Sequence, residues 1–171
     1  MRTNRVVLAT IGYESADLAD FIATLLAFSI TRLIDVRELA ISRRRGFAKK
    51  ALSAALADAG IDYVHLRGLG DPKEGREAAR AGDVARFQSV FTRHMRTEIA
   101  QADLGTAASL VAEGGACLMC FERDHSACHR TIVAQALSGT VPITTRHLSV
   151  STGFANSRLH VGSREIAEEW A

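Results

Sequence analysis

Two hydrophobic periods alternate along the chain. Residues 5–11 are a short, continuous apolar run, the pattern of a buried strand. Leu18, Phe21, Ile22, Leu25 and Leu26 then recur at the spacing of one helical face, with Ser15 as the expected N-cap. Residues 33–36 predict a second strand. Leu52, Ala55, Leu56 and Ala59 predict a second helix, stopped by Gly60. Residues 61–66 predict a third strand, and residues 68–82, rich in glycine and charge, read as looser chain. A long helix carrying Val84, Phe87, Phe91, Met95 and Ile99 is expected next, then a short one around 106–112 ending at Gly114-Gly115. Residues 116–121 give a fourth strand, Ile132, Val133, Ala136 and Leu137 a further helix, and residues 143–150 a fifth strand.

Strand alternating with helix predicts an α/β fold of three layers, a mostly parallel sheet of about five strands with helices on both faces. Residues 1–150 are expected to form a single α/β domain. Residues 151–171 are expected to be a C-terminal extension, packed on the domain through a short helix at 165–170 or partly mobile.

The balance of the 171 residues is ordinary for a globular chain: 47% hydrophobic, 23% charged, net charge +2, two prolines. So small a charge does not by itself imply a nucleic-acid or membrane partner. The first apolar run is too short for a secretory signal, and no apolar stretch approaches the roughly 20 residues that span a bilayer. A cytoplasmic location is therefore expected. Three cysteines, an odd number in a reducing compartment, make a disulfide framework an unfavourable reading.

Ligands in open parallel sheets sit at the carboxyl ends of the strands. Tyr13 and Glu14 follow the first strand. Asp35 and Arg37 end the second, with Ser42 and Arg43 beyond. Tyr63 and His65 lie on the third, and Cys120 and Glu122 end the fourth, before Cys128, His129 and Arg130. The last three fall where a helix should begin, with Ser126 as its expected cap. Its free N–H groups and partial positive charge suit a phosphate, sulfate or carboxylate and would favour a Cys128 thiolate. The blander reading pairs Arg130 with Glu122 or Asp124.

Cys117 lies three residues before Cys120, so it should face the other side of the strand and belong to the core. A metal site using Cys120, Cys128 and His129 remains an alternative, although adjacent Cys and His depart from the usual zinc-ligand spacing. Asp35 and Arg37 could form a buried pair that orients the site. His65 is either a general base or a satisfied, half-buried side chain. The basic run 42–50 is either a solvated face or a collector of phosphate or RNA.

Thr10-Ile11-Gly12-Tyr13-Glu14, Leu33-Ile34-Asp35-Val36-Arg37, Ser42-Arg43 with Gly46-Phe47, Tyr63-Val64-His65-Leu66 with Leu69-Gly70, and Cys120-Phe121-Glu122 leading to Cys128-His129-Arg130 together resemble the domain of unknown function 488 family. The resemblance implies a bacterial or archaeal cytosolic protein of α/β fold and carries no biochemical activity. The chain departs from it at Ala40, where a proline is common, and at Ser15, where a small residue, often glycine, is expected. A looser analogy to rhodanese-like domains concerns the fold alone.

The leading expectation is an anion-binding crevice, serving a thiol-assisted transferase or hydrolase. Cys120, Cys128, His129 and His65 would be its reactive groups. Arg130, Arg37, Arg43, Asp35, Glu122 and Tyr13 would bind a phosphate- or carboxylate-bearing substrate. The alternatives are a non-catalytic nucleotide or RNA module and the metal-binding protein. No cofactor is expected. The expected partner is a small anionic molecule, with nucleic acid less favoured and no membrane. Oligomeric state is not legible in the sequence.

Overall fold

The structure, a computed structural model, describes residues 4–159. Five strands form one sheet: β1 (Val6–Gly12), β2 (Arg32–Asp35), β3 (Asp62–His65), β4 (Ala116–Cys120) and β5 (Ile143–Leu148). Every pairing is parallel, and the order across the sheet is β3-β2-β4-β1-β5. The central strands are nearly continuous apolar runs because a parallel sheet is covered on both faces.

Alternation along β4 shows the two layers. Cys117 and Met119 point to a cluster with Phe21 and Leu25 of α1 (Leu18–Ala27) and Leu52 and Leu56 of α2 (Lys49–Asp58). Ala116, Leu118 and Cys120 point the other way. There they meet α3 (Lys73–Arg80), α4 (Val84–Met95), α5 (Glu98–Ala112) and α6 (His129–Leu137), through Ala78, Phe91, Val111 and Val133 among others. This is the three-layer α/β architecture that the two periods predict. Cys117 is buried in the core, and burial raises its thiol pKa.

Four local expectations are corrected. The cap of α1 is Asp17, whose carboxylate accepts from the Ala19 N–H, while Ser15 sits in a left-handed turn at φ +61°. The long helix divides after Met95. Thr97 caps a new helix, so Ile99 opens α5 and is exposed, and the short helix read at 106–112 is only the end of α5. The looser stretch contains α3, which periodicity misses because its buried residues are only Gly75 and Ala78. Ser126 does not cap α6. It lies in a 3₁₀ turn (His125–Ala127) capped by Asp124, and Cys128 caps α6 with its sulfur facing the Arg130 N–H.

Past β5, the chain turns helical at 154–159. The buried Asp20 carboxylate of α1 accepts from the Gly153 and Ala155 N–H groups, tying this segment to the domain. The helix expected at 165–170 lies outside the described residues. Among those described, no helix is long and apolar enough to cross a membrane.

Candidate functional site

Strand order concentrates the polar residues. β4 lies between β2 and β1, so the chain leaving its carboxyl end is flanked by the residues that follow both neighbours. Gly12 is paired in register with Cys120. A Cβ at Gly12 would overlap the Glu122 carbonyl, so glycine is needed there for the chain after β4 to cross the end of β1.

Cys120, Glu122, Cys128 and His129 converge. One ligand-type atom from each lies within 4.8 Å of all the others. The sulfurs of Cys120 and Cys128 are joined in the structure, which corrects the expectation of unlinked thiols. Their Cα atoms are 7.5 Å apart, beyond the span of about 4.4–6.8 Å usual for disulfides. The backbone thus aims two sulfurs at one point from a wider base than a disulfide needs. Cys120 Sγ lies 3.2 Å from Glu122 Oε2, and Cys128 Sγ lies 3.8 Å from His129 Nδ1. His129 Nε2 is 2.7 Å from the Val36 carbonyl, which fixes the proton on Nε2 and leaves the Nδ1 lone pair directed at the cysteines. Burial pushes the His129 pKa down to about 4, so the ring is neutral. Burial raises the pKa of Glu122, with Arg130 opposing.

Arg130 is fully buried. Its guanidinium donates to Cys120 Sγ at 2.9 Å, to the Glu122 carbonyl, to the Arg123 carbonyl at 3.3 Å and to Thr10 Oγ1 at 3.3 Å. It therefore clamps the chain after β4 and sets a positive charge against one cysteine. Asp124, which could have paired with it, instead accepts from the Ser126 N–H and hydroxyl.

Arg37 and Asp35 form the buried pair anticipated, with an Nη2–Oδ2 distance of 2.7 Å and Nε within hydrogen-bond reach of both carboxylate oxygens. Arg37 also donates to Tyr13 Oη and the Phe47 carbonyl, and Tyr63 Oη donates to Asp35 at 2.6 Å. Tyr13 stacks on Phe47 with centroids 4.6 Å apart, so Gly46-Phe47 of the basic run serves the core.

A cleft of about 130 Å³ opens beside this centre, lined by Tyr13, Arg37, Glu38, Leu39, Ile41, Asp71, Arg76, Glu122 and His129. Of the residues read as candidates from the sequence, it gathers Tyr13, Arg37, Glu122 and His129, with Cys120, Cys128 and Arg130 adjoining Glu122 and His129. Two others lie apart. His65 is on the edge strand and bonds the Arg37 carbonyl through Nε2 at 2.7 Å. Arg43 is exposed on a separate groove beside Asp17 and Leu18.

Glu38, Asp71 and Arg76 were missed by sequence reasoning. Arg76 donates to Glu38 and to the Asp71 carbonyl. The Asp71 side chain is buried, and burial pushes its pKa up to about 7, against the pull of Arg76. Gly70-Asp71-Pro72, a turn signature beyond the third strand, was the available hint.

On the far side of Arg130, His125 and His147 stack with ring centroids 3.6 Å apart, and His147 Nδ1 is 2.7 Å from Thr10 Oγ1. The stack sets the loop between β4 and α6 against β5.

Fold and site together define a parallel three-layer α/β protein with a buried Cys/Glu/His cluster at the central strand ends. The chain matches the family described as domain of unknown function DUF488 over residues 17–137, and it belongs to that family. No curated protein and no solved structure matches it.

Proposed function

We propose that the protein binds a divalent transition metal, with zinc the best fit, through Cys120, Cys128, His129 and Glu122. One observation carries this reading: four donor atoms of the right types lie within 4.8 Å of one another. Zinc bonds of about 2.0–2.3 Å put neighbouring tetrahedral ligands roughly 3.3–3.8 Å apart. The separations of 3.2 Å (Cys120 to Glu122) and 3.8 Å (Cys128 to His129) lie close to that frame, and the joined sulfurs of Cys120 and Cys128 reach it by parting on reduction. His129 has the usual support of a metal-bound imidazole, its other nitrogen donating to a backbone carbonyl.

Charge agrees with this reading. Once the bond between Cys120 and Cys128 is reduced, two thiolates and a carboxylate against a dication leave one negative charge, and the buried Arg130 guanidinium beside Cys120 balances it. The cleft reaches Glu122 and His129, so Glu122 is the ligand most readily exchanged for water or a small molecule. Such a centre supports metal-assisted hydrolysis. A thiol-assisted reaction on an anionic substrate is the second reading, favoured by the Arg130 contact with Cys120.

Metal content of protein purified without chelator and reduced with a phosphine tests the proposal. About one zinc per chain is expected, with Co²⁺ replacement giving thiolate charge-transfer absorption. Cys120→Ser and His129→Ala should each weaken binding at least tenfold. Less than a tenth of an equivalent, with no cobalt spectrum, would overturn the metal reading.

A further inference from the structure

The cleft holds a carboxylate that none of the interactions above requires. Asp71 is 7% exposed, and its Oδ1 is buried without a hydrogen-bond partner among the described residues. A buried, unpartnered polar oxygen carries a desolvation cost that a ligand donor can relieve. The space around it is shaped by glycines. A Cβ at Gly75, in the first turn of α3, would overlap Asp71 Oδ1, and a Cβ at Gly70 would overlap the Glu38 backbone.

The cations that line the cleft are already engaged. Arg37 is held by Asp35, Tyr13 and the Phe47 carbonyl, and Arg76 by Glu38 and the Asp71 carbonyl. Arg76 acts on the Asp71 carboxyl only through space and Oδ1 has no hydrogen-bond partner among the described residues, so the missing complement is a donor. A volume of about 130 Å³ equals roughly four waters at about 30 Å³ each, room for a planar head of a few heavy atoms. The wall beyond is apolar: Leu39 is 47% and Ile41 71% exposed.

We infer that this cleft recognises a flat cationic nitrogen head, an amidinium or guanidinium on an apolar body, with Asp71 as its anchoring carboxylate. A planar head with several N–H groups gives Asp71 charge-assisted bonds, which are the strong ones to a carboxylate. This goes beyond the metal proposal and does not depend on it, since Asp71 is not among the four clustered ligands.

Calorimetric titration at pH 8 with benzamidine, benzamide and benzoate tests the inference, using zinc-loaded and chelator-treated protein in parallel. Benzamidine should bind at least tenfold more tightly than either of the others. Asp71→Asn should reduce its affinity at least tenfold while the thermal transition stays cooperative. If that variant does not fold, Gly75→Ala, which sets a methyl group against the same carboxyl, should give the same loss. Benzoate binding as tightly as benzamidine, absence of benzamidine binding in both preparations, or unchanged affinity in the Asp71 variant would overturn the inference. Failure to take up zinc with Asp71-dependent benzamidine binding intact would remove the metal reading alone.

Discussion

Ser15 holds its backbone at φ +61°, where a side chain crowds its own carbonyl at a cost of about 1–2 kcal/mol. Glycine adopts this conformation freely but loses about 0.5–1 kcal/mol of chain entropy. Ser15→Gly is therefore expected to raise unfolding stability by about 0.5–1 kcal/mol, read from urea denaturation. An unchanged or lower midpoint would mean the left-handed turn carries no strain. The departure from the family pattern at Ser15 thus has a physical meaning that the sequence could not express without its φ angle. Asp71 makes the opposite case. Its folded pKa is raised from an ordinary 3.8 to about 7, so between those values the folded chain holds a proton that the unfolded chain has released. Stability is then lost as pH rises through that window and stays level above it. Asp71→Asn removes the titration, so its stability relative to the parent should improve by about 2–3 kcal/mol from pH 5 to pH 8. A constant difference across that range would refute the buried-carboxyl account. Cys120, Cys128 and His129 were legible because they adjoin an apolar strand and a helix start. Asp71 was not, because its burial depends on Gly75 and on Glu38 from another element.

At the level of elements, apolar runs marked the three central strands β1, β2 and β4 to within one residue, since burial on both faces leaves little choice of residue, while the edge strands β3 and β5, half-exposed and more polar, still fell within two residues of their expected bounds. Helices with a wide apolar face, such as α1, were equally plain. Two kinds of helix were not. α3 packs through small residues and so carries no stripe, and the apolar stripe through Phe87, Phe91 and Met95 continues to Ile99 across the break that Thr97 makes. Caps were the weakest signals because Ser, Thr and Asp compete for the same donors, and here Asp17 and Cys128 took places expected of Ser15 and Ser126. The crossing of β1 and the chain after β4 has a direct test. Gly12→Ala forces the Glu122 carbonyl away from its seat and from Arg130. A loss of about 2–3 kcal/mol is expected, in the range of overpacked cores, with weaker metal uptake by the folded fraction. Parent-like stability would show that the two chains pass with room to spare.

For the molecule as a whole, alternation of the two periods gave the layers but left the strand order open. That order decides where the centre lies, because only a central β4 brings the ends of β1, β2 and β4 to one cleft. It also governs how the protein is made. β1 takes all its partners from the far end of the chain, β4 and β5, and has none nearby. A strand made before both its partners must wait about 100 residues for its first neighbour, about 5–20 s at about 5–20 residues per second. Throughout that interval Leu8, Ala9 and Ile11, fully buried at the end, have only transient cover. Pairing of such long range is entropically slow, so assembly of the sheet waits on synthesis of β4 and β5, and the nascent chain is most vulnerable to aggregation before then.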